Sequence, residues 1–207
     1  MAIMELRDLV DPAHTALCIV ECQNGVVGEG TALPALAEAA AGMLTTLADL
    51  AGVARAAGVT VVHATAQVHP GRWGASNNAR LFGVARRSPV QLEPGSDAAE
   101  PVAALRPDPN ADVVVPRFHG LSPFSGTELE RLLRNAGTKT VVLAGVSLNV
   151  AIPNAAFDLV NAGFQVVVAS DGVVATPPEY GEQVLANTLA FVATLADAEE
   201  LSAAWTR

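Results

Sequence analysis

Between Thr140 and Gly172 apolar blocks and polar breaks follow one another in a fixed order. Val141 to Ala144 is apolar without interruption, the pattern of a strand buried on both faces. Gly145 then permits a close backbone turn. Asn149 stands where a helix cap is expected, Pro153 falls in the first turn, and Gly163 closes the helix. Phe164 to Ala169 is a second buried run. Strand, helix and strand in this order predict a right-handed parallel crossover.

The rest of the chain repeats the theme. Thr15 to Val20, Val59 to Ala64 and Asp112 to Pro116 read as further buried strands, giving five or six in all. Helical spacing runs from Pro34 to Ala57, with Gly58 as terminator. Ser125-Gly126-Thr127-Glu128 offers a capping box for a helix ending near Gly137. Thr176-Pro177-Pro178-Glu179 offers another, for a helix running to about Leu195, with Glu199 to Trp205 as one more short turn. Gly25, Gly28 and Gly30 mark a mobile loop. Residues 86–110 hold five prolines and read as a long connection, a lid or an interface segment. The expected architecture is a Rossmann-like three-layer α/β/α sandwich with a mostly parallel sheet, formed as one unit over residues 1–207.

Composition narrows the function. Hydrophobic residues are 51% and charged residues 16%, which suits a packed core rather than a disordered chain. The formal charge is −9 with 12 Lys plus Arg, and aromatics are only 4%. That balance argues against nucleic acid and anionic membrane surfaces as partners. The N-terminus lacks the apolar core of a signal peptide, and no uninterrupted apolar run reaches membrane-spanning length. Cys18 and Cys22 are expected on one face of the first strand, too far apart for a bridge, as reduced thiols of a cytoplasmic protein.

In an open α/β sheet, ligands bind beyond the carboxyl ends of the strands. Three such ends carry candidate chemistry: Glu21 after the first strand, Arg117 after the third, and the turn from Gly145 to Ala151 after the central one. Backbone N–H groups at that last turn favour an oxyanion or a carboxylate.

These three pieces, read as CIVECQNGVVG, VVVPRFHGLSPFSGTELERLL and VVLAGVSLNVAIPNAAFDLVNAGFQVVVASDGV, together resemble the isochorismatase-like hydrolase family, also called the cysteine hydrolase group. The likeness runs from Thr15 to about Leu195. Three positions depart from the family pattern. Its strand-end Asp is Glu21, its Lys is Arg117, and its nucleophilic Cys falls at Ala151. Attack by a thiolate is therefore not open at that position. The resemblance implies the route of the family members that lack the Cys and cleave a vinyl ether with the strand-end carboxyl as acid. Glu21 is then the acid/base. Arg117 either pairs with it or grips a substrate carboxylate in bidentate fashion. Burial favours a protonated carboxyl and a guanidinium at close range favours the ionised one, so the two readings of Arg117 differ for Glu21.

Gln23, His119, Val146, Ser147, Val150 and Ala151 are the expected substrate contacts, and Arg72 to Asn78 is a further candidate loop. Val146-Ser147 matches the family's non-proline cis peptide. Asn149 is expected first as a helix cap. His63, Gln67 and His69 fall where some family members hold a metal, but the Asp of that set is missing and Gln is a poor substitute. No metal and no cofactor are expected. Cys22 reads as a buried inert thiol. The resulting expectation is a cofactor-independent hydrolase of a small, carboxylated molecule. The alternative is a catalytically silent member that binds a small ligand or serves in assembly. A homo-oligomer, dimer or tetramer, is implied, with the proline-rich connection supplying apolar surface.

Overall fold

The structure, a computed structural model, describes residues 4–206. Six strands form one sheet: β1 (Thr15–Val20), β2 (Thr60–Ala66), β3 (Val113–Arg117), β4 (Thr140–Val146), β5 (Gln165–Val174) and β6 (Thr194–Ala196). Their spatial order is β3-β2-β1-β4-β5-β6, and every strand pairing is parallel. The helices are α1 (Leu6–Leu9), α2 (Asn24–Val27), α3 (Pro34–Ala57), α4 (Arg80–Arg87), α5 (Leu129–Asn135), α6 (Ala151–Asn161), α7 (Pro178–Asn187) and α8 (Ala198–Trp205). The strand order reverses between β1 and β4, so the crevice beyond their carboxyl ends is where such a sheet binds ligands.

The core divides by strand alternation. Leu17, Ile19, Val142 and Ala144 pack with Leu47, Leu50 and Ala54 of α3 and with Leu201 of α8. Ala16, Cys18, Val141 and Leu143 pack on the other face with Leu133 of α5, Ile152 and Leu159 of α6, and Val184 of α7. At 24 residues α3 is long and apolar enough, by length and composition, to cross a membrane. Its Leu36, Met43, Leu47 and Leu50 are buried against the sheet layer, the place of a core helix.

Several local expectations change. The C-terminal helix stops at Asn187; Leu189–Phe191 is a single 3-10 turn, and Leu195 belongs to the edge strand β6. The capping box lies at Asp197 and Glu200, where it starts α8. Neither expected box forms. Thr127 Oγ1 accepts from Leu129 N at 3.2 Å in front of α5, and α7 begins after Pro177 with no side-chain cap. Gly25 lies inside α2, packed so closely that a Cβ would strike Leu92 and Ala98, which replaces the expected mobile loop there. The proline-rich connection carries none of the exposed large apolar side chains among the described residues. Those include Phe157, Val160, Tyr180 and Phe191 instead.

Candidate active site

Glu21 has φ 51°, the left-handed region that costs a residue with a Cβ. This turn ends β1 and reverses the phase of the next side chain. Cys22 therefore packs with Leu17 and Ile19, whereas Cys18 packs on the opposite face of the sheet. The expectation that the two thiols share a face is corrected by that one backbone angle. Both are buried, and burial pushes each thiol up to about 12. For Cys22 the neighbouring Glu21 charge adds to the effect.

The Glu21 carboxylate accepts a hydrogen bond from Arg117 Nη2, and Arg117 Nη1 donates to Gly120 O. The side chains are 15% and 14% exposed. Arg117 Nε is buried and has no partner among the described residues. Of the two readings of Arg117, pairing with Glu21 is the observed one.

On the other side of the crevice, β4 approaches β1 so closely that only glycine fits at position 145. Gly145 has φ 101°, and a Cβ there would overlap Val20 N and O. The following Val146–Ser147 peptide is cis. Ser147 O accepts from Val150 N and Ile152 N, at 3.2 and 3.1 Å. The N–H groups of Asn149 and Ala151 find no backbone carbonyl among the described residues. Asn149 is not the helix cap. Its amide clamps the neighbouring turn, donating to Thr176 O at 2.8 Å and accepting from Thr176 N at 3.0 Å. Ala151 opens α6, buried and without a nucleophile.

A cavity of about 560 Å³ joins these parts. Of the residues expected at the site, Glu21, Arg117, His119, Val146, Ser147, Val150 and Ala151 all line it. His119 sits exposed, beyond Phe118, whose ring stacks on His69 at 4.1 Å. Gln23 does not line it. It is fully buried and its amide is spent on backbone: Nε2 donates to Ala66 O at 2.9 Å and Ala99 O at 2.7 Å, and Oε1 accepts from Ala66 N at 2.7 Å. Its assignment as a substrate contact is replaced by a structural one.

Sequence reasoning missed the apolar wall of the cavity, made by Val26, Leu36, Leu81, Phe82 and Leu92. Their signal was weak, because α4 buries no residue and Leu92 lies in the aperiodic connection. It also missed a buried cluster on the α3 face. His63 Nε2 lies 3.1 Å from Asp112 Oδ2, and Asp112 is gripped by Arg55 through bonds of 3.0 and 2.6 Å. Burial lowers the His63 pKa, against the pull of Asp112. Asp112 is lowered too: burial opposes this, but the hydrogen bonds from Arg55, the Asp108 backbone and His63 outweigh it. His63 and His69 thus serve different places. Among the described residues no group of three or more His, Cys, Asp or Glu is arranged to hold a metal ion. A groove at the opposite end of the sheet, near Ala57 and Trp205, has Asp11 as its one ionisable lining residue among the described residues.

Comparison with known proteins finds a family match and relatives of the same fold. A family profile described as "Isochorismatase domain" matches residues 15–200. Ureidoacrylate amidohydrolase RutB of Methylobacterium radiotolerans is 29% identical over 205 residues, spanning 91% of this chain and 78% of its own. Among solved structures, an isochorismatase family protein from Desulfovibrio vulgaris superposes with a TM-score of 0.81 at 28% identity, covering 93% of this chain and 98% of that one. Nicotinamidase PncA from Bacillus subtilis shares the fold, with a TM-score of 0.72 at 24% identity over 89% of this chain and 99% of its own.

Proposed function

The chain belongs to the isochorismatase-domain family, and from that premise we propose that it is a cofactor-independent hydrolase of a small carboxylated molecule, with Glu21 as acid/base and no thiol in the reaction. The observation that carries this reading is the Glu21–Arg117 pair in the same cavity as Ala151. A proton-transferring group is present where a nucleophile is absent. The two cysteines are buried with raised pKa values, which keeps them as unreactive thiols.

In this scheme water attacks the electrophilic carbon while Glu21 takes its proton. The carbon–leaving-group bond breaks, and Glu21 returns the proton to the departing atom. For a vinyl ether the order inverts: Glu21 enters in its protonated form and delivers that proton to carbon, water adds to the resulting oxocarbenium carbon and gives a proton back to the carboxylate, and the hemiketal collapses to a carbonyl with release of the alcohol. The free amides of Asn149 and Ala151 support developing negative charge near the β4 turn. Arg117 holds the carboxylate in place rather than moving protons, since a guanidinium stays charged. A carboxylated substrate is supported by the name of the RutB relative, an ureidoacrylate amidohydrolase. The reading includes a homo-oligomer, for which Phe157, Val160, Tyr180 and Phe191 offer apolar surface.

The test is a panel of vinyl ethers, amides and esters with carboxylate groups, assayed with wild type and Glu21→Gln. Turnover of at least one member, abolished by Glu21→Gln, is expected. Turnover that survives Glu21→Gln refutes the acid/base assignment. Absence of any turnover with binding retained supports a silent, ligand-binding protein instead, a reading favoured by the empty chemistry of Ala151.

A further inference from the structure

The mouth of the cavity carries a charge pattern opposite to that of the whole chain. The formal charge is −9, yet no acidic residue occurs between Asp49 and Glu93, where Arg55, Arg72, Arg80, Arg86 and Arg87 fall. Arg55 is spent on Asp112. The other four lie on the segment that borders the cavity, and Arg72 lines it directly. Glu21 and Arg72, at φ 51° and 57°, are the two non-glycine residues in the left-handed region among those described. Both face the same space. A bulky residue held in that region is a pointer toward function.

A side chamber of about 250 Å³ adjoins the main cavity and shares Arg72, Ser76 and Phe82 with it. Asn77 and Arg86 complete its polar lining, and no carboxylate faces it. Arg72 is held from one side only. Its Nη1 donates to Gln91 Oε1 at 2.6 Å, and Gln91 Nε2 is itself fixed by Ser88 O at 2.6 Å. Nε and Nη2 of Arg72 have no protein partner among the described residues, and Arg86 forms no ion pair there. Ser76 Oγ accepts from Gly120 N at 3.0 Å, which leaves its own proton to donate. Arg117, by contrast, is committed to Glu21 and Gly120 O. Its remaining nitrogen, Nε, is buried, so an anionic group entering the cavity meets accessible guanidinium donors at Arg72 rather than at the reaction centre.

We propose that Arg72, assisted by Arg86 and the Ser76 hydroxyl, forms a subsite for a carboxylate of the ligand, set apart from the Glu21–Arg117 centre, and so selects anionic molecules with an apolar body. The apolar body lies along Leu81, Phe82 and Leu92. A guanidinium anchored at one edge presents its remaining N–H groups in fixed geometry, which suits a planar carboxylate. The inference rests on the cavity being the substrate site, but not on the role given to Glu21.

The experiment measures binding of an isosteric pair, 3-phenylpropanoate and 3-phenylpropanamide, to the full chain by NMR titration. The carboxylate is expected to bind about tenfold more tightly than the amide, with the difference shrinking at high salt. Arg72→Gln should bring the two ligands level. Arg72→Lys should retain part of the preference, because it keeps the charge and loses the fork. Arg86→Gln should weaken the preference less than Arg72→Gln. Equal binding of the pair to wild type, or a preference that survives Arg72→Gln, overturns the proposal. Glu21→Gln separates the two readings. A preference kept in Glu21→Gln alongside lost turnover supports both. A preference that survives Arg72→Gln and grows in Glu21→Gln, which frees the Arg117 guanidinium, places the anion at Arg117 and overturns the subsite.

Discussion

Arg117, the last residue of β3, reaches past β2 to close on the carboxylate of Glu21, the residue that follows β1. The two side chains are separated by 96 positions in the chain and by a whole strand in the sheet. Each is mostly buried. The pair thus fixes where the Glu21 carboxylate points, and it does so from a strand that forms the edge of the sheet.

Replacing one partner should separate chemistry from architecture. Glu21→Gln keeps the volume and an acceptor for Arg117 but removes the counter-ion, so its loss of stability should be smaller than that of Arg117→Met. Turnover of Glu21→Gln should fall by about 10²-fold or more, the usual scale for a general acid–base group. Arg117→Met leaves a mostly buried carboxylate without its counter-ion and should cost about 1–3 kcal/mol in urea unfolding. Equal stability of wild type and Arg117→Met would show that the pair holds nothing in place.

The thiols give an independent check on the site. Cys18 and Cys22 are buried with pKa values near 12, so iodoacetamide should leave the native protein unlabelled and modify both after denaturation. Ala151→Cys places a thiol at the first residue of α6, facing the cavity, where helix N-terminal amides favour the thiolate. That variant should take up one label in the native state, located at position 151 by mass spectrometry. Native labelling of Cys22 would mean that the wrong sulfur has been set aside.

Helix α3 was legible to the residue, because Pro34 opens it and Gly58, at φ 81°, ends it. The three strand ends were legible for a related reason: uninterrupted apolar runs stop abruptly at polar residues. Edge strand β6 was not, because Thr194–Ala196 is too short to show a period and continues the apolar spacing of α7. Gln23 was misread because its role depends on partners 43 and 76 positions away, and no local pattern encodes them. The face of Cys22 was misread because alternation assumes a regular strand, whereas Glu21 turns left-handed. Local chemistry was visible in the sequence, and the distant carbonyls and strand phase that redirect it were not.

The cluster of Arg55, Asp112 and His63 should make the fold sensitive to acid. His63 has a folded pKa below its usual 6.5, lowered by burial. Below about pH 6.5 the unfolded chain binds this proton more readily, so stability should fall as pH drops from there toward the folded pKa. Asp112 is lowered from 3.8 despite its burial, through its hydrogen bonds, so its contribution is held above that pH and lost beneath it. Urea unfolding at a series of pH values should show both losses in wild type. In His63→Gln the decline starting near pH 6.5 should be flatter, while the one near pH 4 remains. An unchanged decline near pH 6.5 in His63→Gln would assign it to another group.

Gln23 provides the sharpest separation between a structural and a ligand-contacting role. Its amide nitrogen donates to two carbonyls and its oxygen accepts one N–H, all inside the protein. Gln23→Leu strands these groups, each at about 1–3 kcal/mol, and should lower stability by about 3 kcal/mol or more. Gln23→Glu keeps the shape but turns a donor into an acceptor facing Ala66 O and Ala99 O. At neutral pH it should be at least as damaging as Gln23→Leu. Protonation restores one donor, so the deficit of Gln23→Glu relative to wild type should shrink as pH falls below the raised carboxyl pKa of the folded variant, and should level off below about 4.3, the ordinary glutamate value, where the unfolded chain is protonated too. The sign is opposite to that of Asp112: a carboxyl whose neutral form is favoured in the fold contributes stability that is lost as pH rises. Ligand affinity, measured under conditions where the variant is folded, should match wild type. A variant that stays stable but binds poorly would return Gln23 to the cavity wall.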